Sequence, residues 1–307
     1  MRFPFHTTLF CGLLALSIGC SGEPDTSESG TDGGTNNGLH SLDTCTTTIA
    51  DDVPAFFKKY FRCVDVKKEG ETVIITSTNQ PPHPSPYYPA SDPNHTAFDT
   101  MNGTRRQNPN EIKAQTLTLK VPVSPVSRHL TITDEMVDGE ATTSMNEYRP
   151  PMGGTPTTEF GMALDGVSMF HGVAAPGDHI TDEQFTFDTY EAHPERNGIY
   201  HYHSSTRGPL EVLQKLGLTT STTPGSASIE IYAIMCDGTV VLGCTELDGS
   251  TPEDADFDGQ NGHVHDLKDE DGVTHFVQRY HTHICKSKFT RTMFSPEIQY
   301  YSVCGTK

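Results

Sequence analysis

The residues with the most chemistry to offer are histidines, and their spacing repeats. Ten of the 15 histidines lie between His171 and His283. Phe187-Asp188 is followed after four residues by His193 and then by Tyr200-His201-Tyr202-His203. Phe257-Asp258 is followed after four residues by His263 and then by Tyr280-His281-Thr282-His283. With 15 histidines in 307 residues, about 0.7 His-x-His pairs are expected by chance, against three here once His263/His265 is counted. The repetition, more than any single pair, points to metal binding.

On a strand, side chains two apart share a face ~6.5–7 Å apart, so both imidazoles of a His-x-His can reach one ion at the ~2.0–2.1 Å Zn–N distance. The candidate ligands are His193, His201, His203, His263, His281 and His283. An imidazole-rich, thiolate-poor set suits zinc, copper, iron or nickel, with zinc and copper the leading candidates. A lone His-x-His supplies only two ligands. The expectation is therefore one shared site in which His201, His203, His281 and His283 complete a shell, with His193 and His263 as further ligands or as the shell of a second ion.

Asp188 and Asp258, at fixed spacing before a histidine, either accept its other ring N–H and fix the tautomer or are turn residues making Asx hydrogen bonds. Alternation puts Tyr200 and Tyr202 on the face opposite His201 and His203, where they pack. A rival cation signal, Asp254-x-Asp256-x-Asp258-Gly259, opens like a calcium loop but has His265 at the twelfth position where a bidentate Glu belongs. No nucleophile motif, P-loop or dinucleotide fingerprint competes. Three functions stay open: a metal-binding module, a metal-dependent hydrolase or oxidase, and a non-metal structural or adhesive surface domain.

The elements that must position these residues are short and mostly extended. Alternating or β-branched runs at 72–78, 116–123, 129–133, 229–235 and 273–283 predict strands, and 53–61 and 209–216 predict helices. An Asp-Gly turn precedes each histidine set, at Asp165-Gly166 and Asp237-Gly238, which extends the likeness into repeats over about 161–205 and 232–285. The fold class is mainly β: an antiparallel β-sandwich-like single domain with short helices and a pseudo-symmetric internal repeat.

The amino terminus predicts export. Residues 1–20 carry Arg2, an apolar stretch and Gly19-Cys20, the layout of a secretory signal. A Gly-Cys junction after such a stretch resembles the bacterial lipobox, which makes Cys20 the lipid attachment and the membrane a partner, with plain secretion as the alternative. Residues 21–38 are a Ser/Gly/Asp tether too polar to fold, and 39–307 form the domain. Against 40 acids stand 21 Lys plus Arg, a formal charge of −19 that repels nucleic acid. Beyond Cys11 and Cys20, six cysteines remain in an exported chain and favour disulfides, with Cys45–Cys63 and Cys285–Cys304 suggested by proximity.

Tyr200 to His203, Ala163-Leu164-Asp165-Gly166-Val167 and Asn261-Gly262-His263 resemble the YHYH-domain family of bacterial exported proteins. So do Val73-Ile74-Ile75-Thr76-Ser77, Pro82-His83-Pro84 and Asn108-Pro109-Asn110-Glu111-Ile112. The resemblance spans about 72–304 and implies one domain of that type, but no reaction. The chain departs from the family in having Tyr190 and Gln260 where many members have cysteine, and Thr282 in the second motif.

Overall fold

A computed structural model describes residues 38–141, 159–170, 183–252, 257–285 and 299–300, with backbone alone for 138–141 and 159–160. The signal segment, Cys20, nearly all of the tether and Cys304 lie outside the described residues.

The first sheet follows directly from alternation. Strands β1 (Thr48–Ile49), β2 (Asp65–Glu69), β3 (Thr72–Ser77) and β4 (Leu117–Pro122) lie in the order β1-β2-β3-β4. β1 runs parallel to β2 and the other pairs are antiparallel. Val66, Val73, Ile75, Leu117, Leu119 and Val121 point inward and are buried. Glu69 pairs with Thr72 across a two-residue turn in which Gly70 takes φ 59°, the left-handed backbone such turns require. Helix α1 (Ala55–Tyr60) begins after Pro54 and buries Phe56, Phe57 and Tyr60. The Cys45–Cys63 disulfide staples its flanks.

The second sheet has eight strands: β5 (Glu159–Ala163), β6 (Ser168–Phe170), β7 (Ala192–Pro194), β8 (Tyr200–Tyr202), β9 (Ile231–Met235), β10 (Val240–Leu242), β11 (Gly262–Lys268) and β12 (Thr274–His283). Its order, β11-β12-β10-β9-β5-β6-β8-β7, reads the same from either edge once the two repeats are exchanged. Each repeat is a hairpin closed by its Asp-Gly turn, followed by a second hairpin whose returning strand adds parallel to the first: β8 on β6, β12 on β10. At the centre β5 and β9 pair antiparallel, Gly161 with Met235, Met162 with Ile234 and Ala163 with Ala233. Met162 and Ile234 are equivalent residues of the two repeats, so the ladder is self-complementary about a pseudo-two-fold between them.

Both sheets contribute to one core, from Val66, Ile75 and Leu119 to Met162, Tyr202 and Ile234. The protein is thus mainly β and sandwich-like, as the patterning predicts, with sheets that mix parallel and antiparallel pairs. The Gly166 turn ties the layers: Ser77 Oγ donates to its carbonyl at 2.5 Å, and a Cβ there would lie 2.8 Å from the Cys63 carbonyl oxygen.

Helix α2 (Asp134–Ala141) lies outside the two runs that predict helices, whereas α3 (Arg207–Lys215) matches the one expected at 209–216. The strand expected at 129–133 is absent. His129 takes φ 53°, which breaks extension, and the Leu130 N–H bonds to the Gln299 side chain instead of a ladder partner. The expected Cys285–Cys304 pair is corrected as well: Cys285 bonds Cys244, brought beside it by the parallel pairing of β10 with β12. Cys236 is also disulfide-bonded.

Candidate metal centres

The outer hairpin of each repeat assembles its histidines across strands. His193 on β7 stands opposite His201 on β8, and His263 on β11 stands opposite His281 on β12. His203 and His283 follow two residues on, on the same face. The Phe-Asp-x-x-x-x-His motif is the turn that makes this possible. The Asp188 N–H donates to Ala192 O and its Oδ1 accepts the Tyr190 N–H at 2.8 Å, with Glu191 at φ 56°. Asp258 repeats this with Gly262 O and the Gln260 N–H, with Asn261 at φ 53°. Phe187 lies 5.0 and 5.2 Å, centroid to centroid, from His193 and His203, and Phe257 lies 4.9 and 5.1 Å from His263 and His283.

Among the described residues Asp188 and Asp258 accept no imidazole N–H, and their hydrogen bonds are those of the turn role. Their second oxygens accept the first tyrosine of each motif instead, Tyr200 Oη at 2.7 Å and Tyr280 Oη at 2.9 Å. The tautomers are set by other groups, chiefly backbone carbonyls. In the first centre His201 Nδ1 lies 2.9 Å from Ile199 O. His193 Nδ1 lies 2.5 Å from Thr186 Oγ1, which is also within hydrogen-bond distance of Glu183 O. A carbonyl can only accept, so His201 Nδ1 carries hydrogen and its Nε2 presents a lone pair, whereas the Thr186 hydroxyl can take either role toward His193, whose Nε2 lies 3.8 Å from Glu183 Oε2. His193, His201 and His203 are buried, with ring centroids 4.7, 4.7 and 5.5 Å apart. One ligand atom from each lies within 4.8 Å of the others. Burial, and then the neighbouring imidazoles, hold His193 and His201 well below the usual histidine range, which favours the neutral form that can bind a metal ion.

The second centre is larger. Glu246 Oε1 lies 3.1 Å from His263 Nε2 and 3.4 Å from His283 Nε2. Its Oε2 lies 3.2 Å from both His265 Nε2 and His281 Nε2. Yet His281 Nδ1 faces Arg279 O at 3.0 Å, His283 Nδ1 faces Gly243 O at 2.9 Å and His265 Nδ1 faces Asp266 O at 2.9 Å. A neutral ring has one hydrogen and cannot donate to acceptors on both sides. Burial lowers His281 to about 4, so it is neutral at pH 7, and a cation among the Nε2 atoms reconciles these contacts. Burial alone would raise Glu246, but its four imidazole neighbours outweigh that and hold it well below the usual carboxylate range. Glu246 also raises His265, which is 39% exposed and opens the centre to solvent.

The two groups do not form the shared site expected from sequence. Four strands separate β8 from β12 in the sheet, a distance of about 24 Å at ~4.8 Å per strand. The hairpin partner, and not the other repeat, completes each set. Glu246 has no place in the sequence pattern, and His265 enters it as half of the third His-x-His pair and as a calcium-loop position, not as a ligand beside His281. The usable signal was Cys244, two residues before Glu246, whose bond to Cys285 carries that loop to the strand end two residues past His283. The calcium reading gains nothing: Asp254 and Asp256 lie outside the described residues, Asp258 is engaged as above, and His265 joins the histidines.

Behind the first centre the tyrosines point into the core, as alternation predicts. Tyr202 Oη donates to Asp165 Oδ2 at 2.8 Å and lies 3.0 Å from His83 Nε2, and the His83 ring stacks 3.4 Å from Tyr190. Fold and sites together define a two-sheet β protein with an internally duplicated histidine hairpin, each copy a group of residues able to hold a metal ion. No family model matches the chain, and neither a curated protein nor a solved structure is similar to it. The described cysteine pairs fit an oxidising, extracytoplasmic setting, and no described helix is long and apolar enough to cross a membrane.

Proposed function

We propose that this is an exported protein of the YHYH type, lipid-anchored at Cys20, that binds zinc or copper at two separate centres. The first is formed by His193, His201 and His203, the second by His263, His265, His281, His283 and Glu246. The observation that carries the reading is the double set of acceptors around single imidazoles: Arg279 O and Glu246 Oε2 both face His281. A metal ion at Nε2 satisfies that arrangement with Glu246 ionised, and burial of His281 disfavours the alternative of a proton there.

Elemental analysis of the purified protein and of two double variants tests this. His201→Ala with His203→Ala should lose the metal of the first centre and keep that of the second, and His281→Ala with His283→Ala should do the reverse. Loss of all metal in either variant would restore the shared site. A wild type without stoichiometric metal would end the metal reading.

A metal-dependent hydrolase or oxidase is the second reading. It is favoured by the exposure of His265, which leaves one side of the second centre open to a small molecule.

A further inference from the structure

The second centre offers more donors than one tetrahedral ion takes: Glu246, His263, His265 and His281 each place a ligand atom within 4.8 Å of the others, His283 adds a fifth beside His263, and the two oxygens of Glu246 face different pairs. Around Glu246 Oε1 stand His263 Nε2 at 3.1 Å and His283 Nε2 at 3.4 Å, and those two nitrogens are 3.3 Å apart. Ligands at ~2.0–2.1 Å from a tetrahedral ion are themselves about 3.3–3.4 Å apart, so this triangle has the dimensions of one face of a zinc shell. Around Oε2 stand a different pair, His265 Nε2 and His281 Nε2, each at 3.2 Å.

We propose that Glu246 is a bridging carboxylate in a dinuclear centre. One ion is held by His263, His283 and Oε1, the other by His265, His281 and Oε2. This rests on the reading that the histidine groups bind metal. Two ions bridged in this way sit about 3.5–4 Å apart, each with three protein ligands and room for a shared water or a small oxyanion. The ion at His265 and His281 is the solvent-facing one, since His283 is fully buried and His265 is not.

The first repeat is a built-in comparison. Two residues after His193, where the second repeat has His265 after His263, stands Glu195. Its carboxylate accepts the Asn197 N–H at 2.7 Å and the Ile199 N–H at 3.2 Å, closing the β7–β8 turn and leaving no fourth imidazole there. Among the described residues the first centre has donors for one ion.

The test uses the His201→Ala/His203→Ala protein, which isolates the second centre, loaded with Cu(II) and desalted. The proposal expects two coppers per chain, with a spin count in electron paramagnetic resonance well below the copper content and a half-field signal from coupled ions. His265→Asn, at a half-buried position, should bind one copper with full spin count. Glu246→Gln should remove the coupling, and the histidine variant keeps the test decisive if that protein fails to fold. One copper per chain with full spin count before either substitution would overturn the bridge while leaving metal binding intact. No copper at all would overturn both.

Discussion

Asp165 and Asp188 anchor the two tyrosines of the first motif, and both are buried carboxyls. Burial pushes Asp165 up to about 7 and Asp188 up to about 6, although hydrogen bonds from Tyr202 to the former and from Ser85 and Tyr200 to the latter oppose the shift. A carboxyl raised in the folded state holds a proton that the unfolded chain has released. Its contribution to stability is complete below the ordinary value of 3.8 and is lost as pH rises through the folded value, here about 6 to 7. Asn at position 165 keeps one acceptor oxygen for the Val167 N–H, turns an amide N–H toward the Tyr202 hydroxyl in place of Oδ2, and has nothing to ionise. The thermal midpoint of Asp165→Asn should therefore fall less than that of wild type between about pH 5 and pH 8. Parallel midpoint curves would show that Asp165 does not titrate in that window. The inward tyrosines were legible from alternation. Their carboxylate partners were not, because Asp165 meets Tyr202 only when β6 pairs with β8.

The elements that matter most for the second centre are the end of β12 and the loop after β10. Three contacts hold that loop: the Cys244–Cys285 disulfide, the His283 Nδ1 bond to Gly243 O, and Glu230, whose Oε2 accepts the Cys244 N–H at 2.9 Å. A side chain at Gly243 would collide with Glu230, its Cβ falling 2.2 Å from Oε2. The disulfide closes a separation of 41 residues, worth on the order of 4 kcal/mol in the chain-entropy picture. Replacing both cysteines by serine should lower the unfolding free energy by about 2–4 kcal/mol. It should also weaken metal at the second centre, because Glu246 loses its tether, while metal at the first centre is retained. Denaturant unfolding and metal titration of Cys244→Ser/Cys285→Ser check both parts. Unchanged affinity at the second centre would mean that Glu230 and Gly243 suffice to place Glu246.

At the scale of the whole molecule, the pseudo-two-fold at β5 and β9 sends the two histidine hairpins to opposite edges of one sheet. The two candidate centres therefore share no residue, and the edges differ: His265 and Glu246 at one, Glu195 in a turn at the other. The acidic balance of 40 carboxylates against 21 Lys plus Arg suits cations and disfavours nucleic acid and anionic headgroups, so the membrane attachment proposed above rests on the lipid alone. Cells fed a fatty-acid analogue should label the wild type and spare Cys20→Ser, which should then be recovered in the soluble fraction. An unlabelled, soluble wild type would replace the anchor with plain secretion.

The sequence by itself determined which residues face together and how the chain turns. Strand alternation put His201 beside His203 and His281 beside His283, and Asp-Gly and Phe-Asp spacings marked the turns, because these are local consequences of backbone geometry. It also marked the duplication, though three-residue strands such as β6, β7 and β8 are too short to show a period. Tertiary structure alone decided that the two sets are separate, that Cys244 and not Cys304 meets Cys285, and that Glu246 stands among four imidazoles. Each of these depends on which strand lies beside which across a long stretch of chain, and strand partners are selected by burial of a common core, which spacing along the sequence does not encode.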